Sequence, residues 1–387
     1  MSRFHSYLNS CIEILSGYFG QEPFAGAIKK FFAAHKKFGS RDRKTITHAC
    51  YSYFRVRHLF PNDDPGEVIL KGLFLCGENA PGFLQSLRPD WAAKQSGSVI
   101  ERLSFLTPGI SPEQIFPFIS ELSEGIDKQS FALSLLQQPD LFVRIRPGYQ
   151  EKVLAKLRQA GLEYTQPVPD CIAFPNGSRM DEFLELNREV VVQDYSSQQT
   201  LELLEPLQLH KPLHFWDCCA ASGGKAILAK DILGDVDITV SDVRESILHN
   251  LHKRFAEAGI KNYNSFIADL SQDSGPRSPD FDLILADVPC SGSGTWGRTP
   301  EQLVFFRREK IDEYAALQKK ILGNVVPALK PGGHLLYITC SVFRKENEEA
   351  VGFLDEECGL SLRQMKIIPG YMHQADTMFT ALLQKPL

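Results

Sequence analysis

No run of eighteen apolar residues occurs in the 387-residue chain, which excludes a membrane-spanning helix. The opening Met1-Ser-Arg-Phe-His-Ser lacks the apolar core of a secretory signal. The nine cysteines are scattered and no two stand as Cys-x-x-Cys, so neither a disulfide framework nor a structural zinc site is indicated and no metal is expected. No repeat of fixed period is visible. The expectation is a monomeric, reduced, cytoplasmic protein with no membrane partner. Hydrophobic content of 43% and charged content of 23% suit ordinary packed cores, and the length suits two or three of them.

An overall excess of positive charge is also lacking, because the formal net charge is −5. Its distribution says more. Between Lys29 and His58 lie nine Lys or Arg (Lys29, Lys30, Lys36, Lys37, Arg41, Arg43, Lys44, Arg55, Arg57) against the single acid Asp42. A basic stripe on an otherwise acidic molecule is the footprint expected for a polyanion such as RNA; the plainer reading is a solvated helix face.

Three kinds of region follow one another. Residues 1–138 read as helical: Leu8, Ile12, Ile14, Leu15 and Phe19, then Phe24, Ile28, Phe31 and Phe32, recur at helical spacing. Ser40 reads as the N-cap of a helix over 44–58, broken by Pro61 and Pro65. Further helices are expected near 69–75, 112–124 and 128–136. Residues 139–190 read as a small α+β unit, with strands at Leu141–Arg146, near Tyr164 and at Cys171–Phe174, and a helix over 151–160 stopped by Gly161. Over 191–387, strand patterns at 213–218, 236–241, 264–268, 281–286 and 334–339 alternate with helices at 224–233, 244–258 and 309–328. The expected fold class there is α/β, a mostly parallel doubly wound sheet. Strands near 363–368 and at 378–383, joined at Pro369-Gly370, should close it as an antiparallel hairpin.

Three strand ends carry the chemistry. The first is the glycine-rich turn Asp217-Cys-Cys-Ala-Ala-Ser-Gly223-Gly224-Lys225, where a ligand can approach the backbone and a helix N-terminus. Asp242, about 20 residues on, stands where a ribose diol would be held. Asp269 either caps a loop or accepts from an adenine amino group. Together the two acids favour an adenosine-containing cofactor, and the lack of G-x-G-x-x-G disfavours a nicotinamide. The second and third ends are Asp287-Val-Pro-Cys290-Ser-Gly-Ser-Gly294 and Thr339-Cys340-Ser341. A pyrimidine carbon 5 becomes nucleophilic only after something adds to carbon 6, and a thiolate suits that addition. A second polar group then assists release, and Asp287 beside them can hydrogen-bond ring nitrogen 3. A lone strand-end cysteine is ordinarily a small buried hydrophobe; two, each flanked by serine, are less readily so. Cys218 and Trp216 read as core, and Trp296 as an exposed loop aromatic.

These motifs resemble the Sun/Fmu (RsmB-like) family of S-adenosylmethionine-dependent RNA cytosine-5 methyltransferases. The resemblance runs from about residue 139 to the end, through Asp217–Ala226, Asp287–Gly294, Ile338–Ser341 with Glu346-Asn347-Glu348, Val192–Gln198, Arg298–Glu301 and Gln318. It implies a class I (Rossmann-like) methyltransferase domain over 191–387, an RRM-like unit over 139–190 and, more loosely, a NusB-like RNA-binding domain over 1–138. Cys340 is then the nucleophile and Cys290 the helper for release, with Asp287 and Lys225 at the reacting centre. S-adenosylmethionine lies on Cys219, Ala220, Ala221, Ser222, Gly223, Gly224 and Lys225, near Asp242, Asp269 and Asp287. The implied substrate is RNA, ribosomal (16S) favoured over transfer RNA; a non-catalytic assembly factor is the alternative of another class. The chain departs from the family pattern with Ser222 for proline, Ala226 for a hydroxyl residue, Ile247 for arginine and Asp376-Thr-Met-Phe379 for D-G-F-F.

Overall fold

In the computed structural model the runs ending at Asp217, Asp242, Asp287 and Thr339 all belong to one sheet. Residues 3–77, 79, 82–205, 207, 211–272, 275–276, 278 and 280–387 are described. Two compact units result: Met1–Ser120, Asp127–Gln138 and Thr295–Arg307 form one, and Glu121–Ile126, Pro139–Gly294 and Arg308–Leu387 form the other.

The second unit holds two sheets. The smaller comprises β1 (Leu141–Ile145), β2 (Thr165–Val168), β3 (Cys171–Phe174) and β4 (Val190–Val192), ordered β2-β3-β1-β4, with the helix Gln150–Ala160 between β1 and β2. Alternation along β1 sends Val143 and Ile145 into a core with Val153, Leu157 and Phe174, while Phe142 packs with Cys171 and Tyr195 on the other face. Arg144, the polar residue of the pattern, is buried rather than solvated and pairs with Asp231 at 2.8 Å.

The larger sheet comprises β5 (His214–Asp217), β6 (Asp237–Asp242), β7 (Tyr263–Ile267), β8 (Phe281–Asp287), β9 (Leu329–Thr339), β10 (Ser361–Ile368) and β11 (Met378–Gln384), ordered β10-β11-β9-β8-β5-β6-β7. From β7 through β9 all neighbours are parallel, and β11 runs antiparallel between β9 and β10. The order reverses between β5 and β8, which makes the rim above those strands the switch point where ligands sit in open α/β sheets. Both faces are covered, so β9 is apolar at every position from Leu335 to Ile338. Leu336 and Ile338 enter the core shared with Ile227, Leu251 and Phe255, and Leu335 and Tyr337 the core shared with Ile321, Leu322 and Leu354. Trp216 lies fully buried in the latter core and donates through Nε1 to Ser241 Oγ at 3.0 Å. The fold is thus a doubly wound α/β sheet with an α+β companion, as the alternation implied.

The first unit is helical, with Arg3–Ser16, Phe24–Ala34, Ser40–Val56, Pro65–Cys76, Val99–Leu106 and Lys128–Ser134 as its longer elements. Several expectations are corrected here. The third helix begins at Ser40, with Gly39 as its N-cap and Asp42 accepting the Gly39 N–H at 2.9 Å, so Ser40 is not the cap. Pro65 opens the next helix, where its missing N–H costs nothing and Asp64 accepts from the Glu67 amide. The helix expected over 112–124 is only two short 3-10 turns, Pro112–Ile115 and Ile119–Glu121; Pro117 between them restrains the residue before it from helical geometry. Arg55 leaves the basic stripe: it is buried and donates to the carbonyls of Leu135 and Gly297. Lys29, Lys30, Lys36, Lys37, Arg41, Arg43 and Lys44 remain exposed. Trp296, expected in solvent, is buried against Phe116, Phe118 and Phe306.

Candidate active site

The glycine-rich turn begins where β5 ends. Its tight course has two local causes. Gly223 adopts φ +80°, and a Cβ there would lie 2.8 Å from the Phe255 ring and 2.9 Å from Leu251. Ala221, also left-handed at φ +45°, is held by its N–H donating to Asp242 Oδ2 at 3.0 Å. Asp242 Oδ1 accepts from the Arg244 amide at 3.0 Å, so this carboxylate ties the end of β6 to the turn. Asp269 uses Oδ1 to accept from the Ser271 amide and hydroxyl at 3.0 and 2.6 Å, which is the loop-cap role.

β8 and β9 bring the two thiols together. The strands pair in parallel with Asp287 opposite Ile338, so both chains leave the sheet at one level. Cys290 Sγ and Cys340 Sγ are 3.3 Å apart. Lys225, in the first turn of the helix Gly224–Leu233, reaches across β5 to place Nζ 2.6 Å from Asp287 Oδ2. A cavity of about 630 Å³ has Asp242 and Asp269 in its wall together with Cys219, Asp287, Cys290 and Cys340. Ala221 also lines it, whereas Ala220, Ser222, Gly223, Gly224 and Lys225 do not. Ala220 is buried and Ser222 engages Arg254 instead.

Electrostatics separates these groups. The contact with Cys340, together with burial, pushes the Cys290 thiol well above its usual range. Burial alone would depress Lys225, but the Asp287 carboxylate overrides it, with Cys340 and Asp217 adding to the rise. Asp217 is raised from 3.8 to about 8, by burial first and then by Asp287. The Lys225 ammonium and, after it, the Cys219 amide oppose this, but no donor closes a full hydrogen bond on either carboxylate oxygen. Since the folded pKa exceeds the unfolded one, the native state holds a proton that the unfolded chain releases. Stability from this group is present below about pH 4 and lost as pH rises through about 8. Asp217→Asn is therefore expected to melt progressively higher than the unmodified protein between pH 5 and pH 9; thermal melts in which the difference stays flat would contradict it.

The residues that hold the two cysteine loops were not assigned roles from the sequence. Glu346, fully buried, accepts from the Ser291 amide at 2.8 Å and Gln318 Nε2 at 2.9 Å on one oxygen, and from Ser341 Oγ at 2.7 Å on the other. One side chain thus binds the residue after each cysteine. Asn347 accepts from Thr339 Oγ1 at 2.6 Å and donates to the Ser341 carbonyl at 2.9 Å. Gly294 donates to the Cys340 carbonyl at 2.9 Å; a Cβ at that position would fall 2.0 Å from the Thr377 carbonyl, so no other residue fits. The available signal was the Glu346-Asn347-Glu348 signature and the lone Gln318, whose buried partners only the fold supplies.

Comparison with known proteins points one way. Residues 203–384 match the family model described as 16S rRNA methyltransferase RsmB/F. The chain is 33% identical over 241 residues to Ribosomal RNA small subunit methyltransferase B of Enterobacter sp. (strain 638), covering 59% of this chain and 54% of that protein. It is 32% identical over 228 residues to the protein of that name from Klebsiella pneumoniae subsp. pneumoniae, covering 56% and 50%. The chain therefore spans about half the length of the curated relatives it matches. Among solved structures, PH0851 superposes with a TM-score of 0.68 at 20% identity over 98% of each chain. NSun6 from Pyrococcus horikoshii, solved with SFG, gives 0.59 at 16% identity over 71% of this chain and 97% of that one. At such identities these two speak for the fold. Among the described residues no helix is long and apolar enough to cross a membrane.

Proposed function

We propose, from the match of residues 203–384 to the family model described as 16S rRNA methyltransferase RsmB/F, that this protein transfers a methyl group from S-adenosylmethionine to carbon 5 of a cytosine in small-subunit ribosomal RNA. The observation that carries the reading is the 3.3 Å contact between two cysteine sulfurs at the ends of adjacent parallel strands, on the wall of one cavity. A cavity of about 630 Å³ lies within the ordinary range for a cofactor site. Its wall holds the Asp242 and Asp269 carboxylates, which can accept from hydroxyl and amino donors, together with both thiols, a lining that fits S-adenosylmethionine. Bound there, it supplies an electrophilic methyl group.

The chain's own residues do the rest. Cys340 Sγ adds to carbon 6 of the cytosine and makes carbon 5 nucleophilic. The Lys225–Asp287 pair offers a donor and an acceptor to the polar edge of the ring as charge develops. Once carbon 5 carries the methyl group, Cys290 as thiolate assists release by taking the carbon 5 proton, directly or through water; the electron pair of that bond forms the carbon 5–carbon 6 double bond and Cys340 leaves as thiolate. The likeness of Ile338–Ser341 to the family's nucleophile signature supports Cys340 as the attacking sulfur. The target base must be unstacked, since its face is covered inside a helix. The exposed lysines and arginines from Lys29 to Lys44, in the helical unit, are the surface we assign to the RNA backbone.

The test is direct. Purified protein, S-adenosylmethionine and unmethylated small-subunit RNA or subunits should yield one new bisulfite-resistant cytosine, with total transfer RNA as the comparison substrate. Modification confined to transfer RNA would overturn the substrate class, and no modification of any RNA would overturn the activity.

A further inference from the structure

The turn we assign to the cofactor carries Ser222 where the family pattern has proline, and so lacks the ring that would fix a backbone angle there. The structure supplies another restraint. Arg254, near the end of the helix Glu245–Glu257, donates through Nη1 to Ser222 Oγ at 2.7 Å and to the Ser222 carbonyl at 3.0 Å. Its Nε donates to Asn187 Oδ1 at 2.9 Å. Asn187 is 9% exposed and left-handed at φ +63°, a conformation asparagine tolerates better than most residues. It is itself fixed from two sides: its Nδ2 donates to Glu257 Oε2 at 2.7 Å, and its carbonyl accepts from Arg146 Nη1 at 3.0 Å. Arg146 in turn pairs at 2.8 Å with Asp231, which lies near the far end of the helix that the glycine-rich turn opens. The turn is therefore held at its Ser222 side, and its helix at Asp231, by residues that converge on the loop before β4.

We infer that Arg254 is the positioning residue of the cofactor turn, holding by hydrogen bonds to Ser222 a backbone that a proline would hold by its ring, and anchoring it through Asn187 to the four-stranded sheet. The turn needs such a restraint because Ala221 and Gly223 are both left-handed and nothing in their own side chains fixes them there. A charge-assisted hydrogen bond with partly buried partners is strong enough to matter for ligand binding. The inference rests on the assignment of this turn to S-adenosylmethionine.

Titration calorimetry with S-adenosylmethionine on the full chain tests it through a cycle of Ser222→Ala, Arg254→Ala and the double variant. Each single change should weaken binding about five- to tenfold, since one to two hydrogen bonds from a charged donor are lost. The double variant should be no weaker than Arg254→Ala, because both changes remove one interaction. Ser222→Pro placed in the Arg254→Ala background should bring binding back to within about twofold of the unmodified chain. A merely structural arginine would not be rescued by a proline 32 positions away. Losses that multiply in the double variant, or a proline that rescues nothing, would overturn the inference. Should Arg254→Ala fail to fold, Ser222→Ala and Arg254→Lys carry the same comparison. Amide exchange of the peptide spanning 218–226 gives a readout without ligand: it should quicken in Arg254→Ala and slow again with Ser222→Pro. If the unmodified chain bound no S-adenosylmethionine, the functional reading would fall and amide exchange alone would decide the role of Arg254.

Discussion

On the proposed mechanism, Cys340→Ala is expected to transfer no methyl group to cytosine, and Cys290→Ala to accumulate a covalent protein–RNA complex that runs as a slow band on a denaturing gel. These opposite outcomes from two sulfurs 3.3 Å apart are the largest effects expected of this protein. Removing Cys340 leaves carbon 6 with no thiolate to add, so carbon 5 never becomes nucleophilic. The turnover rate should fall by roughly 10⁴-fold or more, the scale seen when a covalent nucleophile is deleted. Removing Cys290 leaves addition and methylation possible but takes away the group placed to assist release, so the adduct outlives the reaction. The same gel distinguishes the roles. An adduct in Cys340→Ala with none in Cys290→Ala would reverse them, and normal turnover in Cys340→Ala would end the two-thiol reading altogether.

Glu346→Ala is expected to be the most damaging change that touches neither thiol. Its carboxylate accepts from three groups, Ser291 N–H, Gln318 Nε2 and Ser341 Oγ, in a fully buried position. Burial raises the carboxyl against the opposing hydrogen bonds from Ser291, Ser341 and Gln318, so the group depends on those donors as much as they depend on it. With alanine there, buried donors lose their acceptor and a void remains. The cost should be about 3 kcal/mol, or a fall of roughly 6–12 °C in the melting temperature of the catalytic domain. Because Ser291 and Ser341 each follow a cysteine, both loops shift together, and a displacement near 1 Å at the sulfurs should lower turnover on the order of 100-fold. Glu346→Gln separates packing from charge. The amide oxygen can still accept from Ser291 and Gln318, while Ser341 Oγ turns to accept from the amide nitrogen, so most of the stability should return. Thermal melts and methyl transfer measured on both variants check this; a Glu346→Ala protein with unchanged melting and turnover would refute the positioning role.

The parts legible in the chain were those in which neighbours in sequence are also neighbours in space. The helix over 224–233 was readable to the residue, since Gly223 before it and Gly234 after it bound a run of good helix formers. The apolar run before Cys340 reads as a strand because both faces of a parallel sheet are covered and every position is apolar. The terminal strands near 363–368 and at 378–383 were legible as antiparallel, but that the later one inserts between β9 and β10 was not, since strand order is a non-local choice. Arg55 and Trp296 mark the same boundary. A charge next to other charges reads as surface, and a tryptophan in a loop reads as exposed. Arg55 is buried because two backbone carbonyls converge on its guanidinium, and Trp296 because phenylalanines remote in sequence meet it. The helix expected over 112–124 failed for a local reason, Pro117, which the apolar periodicity outweighed in the reading.

The chain by itself determined which atoms are available for chemistry: two thiols, a lysine, a set of carboxylates and a glycine-rich turn, each at the end of a strand, because side-chain identity and local periodicity are properties of the sequence. Only the tertiary structure decided that Cys290 and Cys340 touch, that Lys225 closes on Asp287, that Glu346 grips both loops and that Arg254 takes hold of the turn at Ser222. Apart from Glu346 and Ser341, those contacts join residues 32 to 62 positions apart, and their geometry follows from strand order and register, which arise from burying both faces of one sheet.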